Sequence, residues 1–353
     1  MRCTDNSSLT RHQLRMLEKK RQKRKAFIFT VSLLCVFLLA AGLIYYFIFR
    51  SHEINFEDPY VDSQVRTAVM DGVESEHRAS SFTADLCVTA GDVEADDTDL
   101  AYAEAGALMD LSNKEVLFAQ NVHERLYPAS LTKIMTALVA LKYGNLDDTI
   151  FIDENALDID PESSVCYLEY GDELTLRQLI YGLLIASGND AGNAIAYHVG
   201  GSIENFVAMM NQEAYEIGAT NTHFMNAHGL QDENHYTTAY DVYLMFREAL
   251  KYDVFQDAIN QKNYTVTYTK ADGEQYERTW YATNYYFTGE AAAPDDVTVY
   301  GGKTGTTDEA GACLSLLSKD PYGNSYFSVI MKSVTKDDLY MQMNDLLSII
   351  NKK

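Results

Sequence analysis

Apolar positions alternate with polar or small ones in AYAEAGALMD, residues 101–110, and in EVLFAQN, residues 115–121, with LSNK between them. A period of two on either side of a turn predicts a β-hairpin. From Ala129 the period lengthens, and Ile134, Leu138 and Leu141 fall at helical spacing. TLRQLIYGLLIAS, residues 175–187, predicts a buried helix with Thr175 as its N-cap. NDAGNAIAYHVG, SIENFVAMMNQEAYEIG and TAYDVYLMFREALKY predict three more helices. The pattern then returns to strands. NYTVTYTKADGEQYERTWYATN sets β-branched and aromatic residues around Asp272 and Gly273, a hairpin signal. VTVYGGKTG, ACLSLLS and YFSVIMKS read as three further strands, and DDLYMQMNDLLSIINKK as a closing amphipathic helix.

Strands at both ends with helices between them predict an α+β fold, an antiparallel sheet built from both ends of the domain and flanked by helices, with a mostly helical insertion. The sheet-and-helix body is expected over residues 96–353, a size one domain can have.

The N-terminal third has another character. Residues 26–49, AFIFTVSLLCVFLLAAGLIYYFIF, carry no charge. Twenty-four helical residues reach about 36 Å, enough for a hydrocarbon core of ~30 Å. A cleaved signal peptide would have a shorter apolar run ending at small residues, whereas this run ends in aromatics. The expectation is an uncleaved single-pass anchor. The basic residues of 1–25, KKRQKRK above all, keep the N-terminus cytoplasmic and the remainder extracellular or periplasmic. Residues 50–95 are polar and acidic and read as a stalk. The first 50 residues hold ten Lys/Arg and two Asp/Glu, so of the net −23 the rest of the chain carries −31. Such an acidic body argues against nucleic acid as a partner, because phosphate binding needs clustered cations.

Only Cys87, Cys166 and Cys313 follow the apolar run, an odd number without framework spacing. No Cys/His set has metal-ligand spacing, and no cofactor is expected.

YPASLTKIM places Ser130 and Lys133 three apart at a predicted helix start. Residues at that spacing share one helix face. A serine hydroxyl needs a base before it attacks, and a lysine is a base near neutral pH only when burial or a second cation lowers its pKa from about 10.4. Ser-x-x-Lys alone is a short pattern that also arises from a helix cap and a surface lysine. Two more short motifs follow it in order: Ser187-Gly188-Asn189 between two helices, and Lys303-Thr304-Gly305 at a strand end. Ser-x-x-Lys, a Ser-x-Asn triplet and Lys-Thr-Gly in this order form the signature of penicillin-binding proteins and related β-lactamases.

From Ala101 to Lys353 the chain resembles the serine D-Ala-D-Ala carboxypeptidases, the low-molecular-mass penicillin-binding proteins. AGALMDLSNKEVLFAQNVHERLYPASLTKIMTALVAL resembles their opening hairpin and nucleophile helix. LIYGLLIASGNDAGNAIA, THFMNAHGLQDENHYTTAYDVYLM and YGGKTGTTDEAGACL resemble their later segments. The resemblance implies Ser130 as nucleophile, Lys133 as base with Lys303 as the second cation, and Ser187 as proton donor to the leaving amine. It implies Asn189 on the substrate's backbone amide and Lys303 and Thr304 facing its terminal carboxylate. Gly305 would leave room for an extended peptide along the strand edge, and the Thr306 N–H would share the oxyanion with the nucleophile's helix N-terminus. The implied substrate is a peptidoglycan stem peptide ending in D-Ala-D-Ala, with β-lactams as covalent inhibitors. His228, His235, Asp190 and Asn193 read as structural, and Cys313 as a small buried residue.

Some features depart from that family. Many members carry a C-terminal β-rich domain with an anchor helix, whereas here the apolar run is N-terminal. Some bind the carboxylate with an arginine after the third motif. No arginine follows Arg278 here, which leaves Lys332 or Lys336. Ala227 stands where proline is common. A β-lactamase needs a deacylating base, and no Glu-x-x-Leu-Asn follows Ser187. A penicillin sensor, a transpeptidase and an endopeptidase are the remaining alternatives.

Overall fold

Along the first strand Ala107 and Met109 turn toward one buried layer and Leu108 toward another, as the two-residue pleat demands. This computed structural model describes residues 85–95 and 98–352. The expected tail, anchor and most of the stalk lie outside the described residues. Among the described residues no helix is long and apolar enough to cross a membrane.

The elements in chain order are β1 (Ala103–Asp110), β2 (Glu115–Gln120), a 3-10 turn (Ala129–Leu131), α1 (Thr132–Tyr143), β3 (Thr149–Phe151), β4 (Glu173–Thr175), α2 (Leu176–Ile185), α3 (Asn189–Gly200), α4 (Ile203–Glu216), α5 (Ala239–Ala249), α6 (Asp253–Asn260), β5 (Asn263–Thr269), β6 (Gln275–Tyr281), α7 (Tyr285–Thr288), β7 (Thr298–Thr307), β8 (Gly311–Lys319), β9 (Ser325–Ser333) and α8 (Lys336–Ile349). The main sheet has order β2-β1-β9-β8-β7 and is antiparallel throughout. Both ends of the domain supply it, as predicted.

One face of this sheet packs on α8 through Leu108, Leu314, Ile330, Met343 and Leu347. The other face packs on the helices through Met109, Phe327, Val329, Leu138 and Phe246. Strand β9 alternates accordingly, with Ile330 on the α8 side and Val329 and Met331 on the other. Thr175 caps α2 with a full capping box: its hydroxyl accepts from the Gln178 N–H, and the Gln178 side chain accepts from the Thr175 N–H.

A second sheet, β3-β4-β5-β6, was not expected. The predicted hairpin is there as β5 and β6, and the three-residue strands β3 and β4 extend it. The packed body also begins before residue 96. Cys87 is buried and its N–H donates 2.9 Å to the Tyr243 hydroxyl, while Val93 bridges Ala119.

Candidate active site

Strand β7 lies at the edge of the main sheet and runs beside the turn that carries Ser130. That turn is strained, because Ala129 sits at φ +47, a left-handed conformation that costs a non-glycine residue energy, and two features hold it. Gly229 lies against its carbonyl, where an added Cβ would fall 1.8 Å from the Ala129 oxygen. The second is a hydrogen-bond chain. His235 Nδ1 accepts from the Met225 N–H at 3.1 Å, so the ring proton is on Nε2 and donates to Thr132 Oγ1 at 2.8 Å. Thr132 Oγ1 in turn donates to the Ala129 carbonyl at 2.8 Å. Burial lowers the His235 pKa to about 4, which keeps the ring neutral in this role.

Lys133 is fully buried under Ser130. Its Nζ lies 2.9 Å from Ser130 Oγ, 2.7 Å from Asn189 Oδ1 and 2.8 Å from the His228 carbonyl. The last two atoms can only accept. A neutral amine has two protons and one lone pair, so those acceptors take both protons and the lone pair faces the serine hydroxyl. Burial lowers the Lys133 pKa well below its usual value, and the charge of Lys303 lowers it further.

The second motif meets the third on the other side of Ser130. Lys303 is buried, and its Nζ donates at 2.8 Å to Ser187 Oγ and at 2.8 Å to the Thr304 carbonyl. Burial brings its pKa down to about 7. Ser187 takes φ +60 and is 4% exposed. Gly188 permits that bend, because an added Cβ would lie 2.3 Å from Cys166 Sγ. Asp190 holds the same wall: its carboxylate accepts from the Cys166 and Leu168 N–H groups at 2.8 and 3.1 Å. Asp190 and His235 are thus structural, as expected. So is the imidazole of His228, which burial holds neutral by pushing its pKa down to about 3.

Two cavities open on Ser130. One, of about 120 Å³, is shared by Ser187, Thr304, Gly305, Thr306 and Lys336. The other, of about 340 Å³, is shared by Asn189, Gly229 and Thr306. All eight residues selected from the sequence, Ser130, Lys133, Ser187, Asn189, Lys303, Thr304, Gly305 and Thr306, therefore line or underlie one groove. The reason for Gly305 differs from the expected one. A Cβ there would meet the Ser130 nitrogen at 2.9 Å and the Pro128 oxygen at 3.1 Å. Its bareness lets β7 close on the turn that carries Ser130. Sequence reasoning missed the His228 carbonyl, Gly229 and Thr283. The Thr283 hydroxyl pairs with that of Thr304. A backbone acceptor leaves no residue signal, and Gly229 lies within THFMNAHGLQDENHYTTAYDVYLM, a stretch to which the sequence attaches no role for it.

Of the two lysines expected near a carboxylate, Lys332 pairs with Glu104 at 3.4 Å and lines a separate cavity with Arg125 and Tyr236. Lys336 opens α8 and lines the groove. Cys87, Cys166 and Cys313 are buried free thiols, and burial raises the Cys313 pKa to about 11. Among the described residues no cluster of three or more His, Cys, Asp or Glu is arranged to hold a metal.

The sequence profile of the D-alanyl-D-alanine carboxypeptidase family matches residues 92–335, and the chain belongs to that family. It is 37% identical over 227 residues to the D-alanyl-D-alanine carboxypeptidase DacF of Bacillus subtilis, covering 62% of this chain and 54% of that one. It is 35% identical over 279 residues to DacC of Escherichia coli, covering 76% and 64%. The chain thus spans little more than half to under two thirds of these relatives. The crystal structure of the Streptomyces K15 DD-transpeptidase superposes with a TM-score of 0.67 at 26% identity, over 72% of this chain and 99% of that one.

Proposed function

We propose that this protein is a serine D,D-carboxypeptidase that removes the terminal D-Ala from peptidoglycan stem pentapeptides through an acyl-enzyme on Ser130, and that β-lactams acylate the same serine. One observation carries the reading: a buried Lys133 whose lone pair has only the Ser130 hydroxyl to face. Ser130 Oγ attacks the carbonyl carbon of the penultimate D-Ala, and its proton passes to Lys133. The oxyanion is held by the N–H groups of Ser130 and Thr306, each such donor accounting for about 10²–10³ in rate. Ser187, activated by the Lys303 ammonium, gives its proton to the leaving amine and takes one back from Lys133, so D-Ala departs and Lys133 is again neutral. Water then attacks the ester carbonyl and gives a proton to Lys133, which returns it to Ser130 Oγ as the ester C–O bond breaks. Asn189 holds the acyl-side amide, and Lys303, Thr304 and Lys336 face the terminal carboxylate. Lys336 takes the place an arginine has in some relatives, as a point charge without a bidentate fork.

The test is D-Ala release from a stem pentapeptide by the full-length chain beside Ser130→Ala and Lys133→Ala. Release by the wild type alone supports the reading. A folded wild type that forms a penicillin ester on Ser130 but releases no D-Ala refutes hydrolysis. That outcome would favour transfer, for which the resemblance to a protein named a DD-transpeptidase is the support. The apolar charge-free segment 26–49 and the basic residues before it support a membrane-held chain with its catalytic body outside. Protease added to intact cells should then remove the body and spare the N-terminal tail.

A further inference from the structure

The groove is electrically polar from end to end. The cavity on the leaving-group side of Ser130 is lined by one cation, Lys336, and by no carboxylate. The cavity on the acyl side is lined by Asp160, Glu162, Asp308 and Glu309 and by no Lys or Arg. All four carboxylates are exposed, and none is in an ion pair among the described residues. They come from two loops. Asp160 and Glu162 precede the wall pinned by Asp190, and Asp308 and Glu309 follow the third motif. An acidic rim alone would mean little. A second feature fits a ligand there: Asn189 is 4% exposed, its Oδ1 is taken by Lys133, and its Nδ2 has no hydrogen-bond partner among the described residues while the side chain lines this cavity. A buried amide with two unspent protons in a groove is built for a carbonyl acceptor.

We infer that the acyl-side cavity selects a stem peptide whose third residue carries a free side-chain amine, and so discriminates against peptides whose amine is already acylated by cross-linking. The inference rests on the carboxypeptidase reading and deepens it. The third residue directly precedes the acylating D-Ala, its Cα about 3.8 Å from that of the D-Ala. A lysine-length side chain there runs outward over the cavity, and its ammonium meets the rim. Acylation of the amine removes the charge that meets the rim. A carboxylate beside the amine, as in diaminopimelate, brings a negative charge to the same rim and weakens the match. The enzyme therefore acts before the transpeptidation step that consumes this amine.

The experiment compares pentapeptides with lysine, Nε-acetyllysine or diaminopimelate at position three, using the full-length chain. Two readouts are taken: D-Ala release, and protection of Ser130 against a labelled penicillin. The expected result is a kcat/KM about tenfold higher for lysine than for acetyllysine, which corresponds to about 1.4 kcal/mol, with diaminopimelate between them. The preference shrinks at 1 M salt, where the Debye length is about 3 Å. In the variant Asp160→Asn, Glu162→Gln, Asp308→Asn, Glu309→Gln the lysine and acetyllysine peptides become equal. Equal protection by the two peptides in the wild type, or a preference that survives in the variant, overturns the inference. Unequal protection with no D-Ala release upholds this inference and overturns the carboxypeptidase reading alone.

Discussion

Lys303 donates its hydrogen bond to Ser187 from the same buried position at which its charge lowers the pKa of Lys133. One cation thus serves both halves of the proposed proton path. Replacing it by the isosteric Lys303→Met removes the charge, so Lys133 becomes more basic and protonated to higher pH. Acylation by a labelled penicillin should lose at least tenfold at pH 7. The acid limb of its pH profile should move upward, because Lys133 must be neutral to take the proton. An unmoved limb would assign that limb to another group.

The same lysine has a cost. Its folded pKa of about 7 lies below the unfolded value of about 10.4, so the unfolded chain binds the proton more tightly over that window. The stability lost by burying it is greatest below pH 7 and is recovered as pH rises toward 10.4. Lys303→Met should therefore be more stable than wild type at pH 7, by about 1–2 kcal/mol after the lost hydrogen bonds are counted. The gain should fade by pH 10 in urea titrations. Activity and stability then move in opposite directions, as at many functional sites.

In the wild type, the free enzyme should lose Lys303's charge as pH rises past about 7. A bound carboxylate stabilises the ammonium and carries its pKa upward. The kcat/KM for a pentapeptide should thus begin to fall near pH 7, while kcat stays level to higher pH. Coincident alkaline limbs would separate Lys303 from carboxylate binding.

The three short motifs were legible because each sits on an element with a strong local signal. Ser130 precedes the apolar helix α1, Ser187 follows the capped helix α2, and Lys303 lies on the β-branched and glycine pattern of β7. The β5–β6 hairpin was legible through Asp272 and Gly273, where Gly273 takes φ +86. Strands β3 and β4 were not, since three residues are too few to establish a period. Helices α6 and α7, eight and four residues long, fell below the same threshold. The role of Gly305 was misread for another reason. A missing side chain marks a close approach, and only the fold tells which neighbour makes it.

That neighbour gives a sharp test. Gly305→Ala would push β7 away from the Ser130 nitrogen, whereas a glycine needed only for peptide clearance would leave the turn alone. We expect acylation by a small penicillin to drop by more than tenfold while the fold loses about 1–3 kcal/mol. Gly188→Ala should lose a similar amount of stability through the contact with Cys166 Sγ. There, Cys166→Ala in the double variant should return part of it, a coupling readable in a double-mutant cycle.

Acid acts on the histidines behind the Ser130 turn. His235 reaches the Ala129 turn through Thr132, and His228 accepts from the Leu230 N–H at 3.3 Å through Nδ1 while its carbonyl holds Lys133. Both rings are neutral in the fold, with pKa values of about 4 and about 3 against an ordinary 6.5. Depressed values mean that the unfolded chain takes up protons first as pH falls. Stability is fully present above 6.5 and is lost as pH drops from there through about 4 for His235 and about 3 for His228. A tenfold difference in proton affinity between the two states corresponds to about 1.4 kcal/mol. The His235→Gln variant keeps an amide donor for Thr132 but has no proton to gain. It should be less stable than wild type at pH 7, where the imidazole packs against Phe224, yet lose less stability between pH 6.5 and 4. Urea midpoints at pH 7, 5.5 and 4.5 read that difference in slope. Parallel pH profiles for the two proteins would show that His235 is not the group that makes the nucleophile turn acid-sensitive.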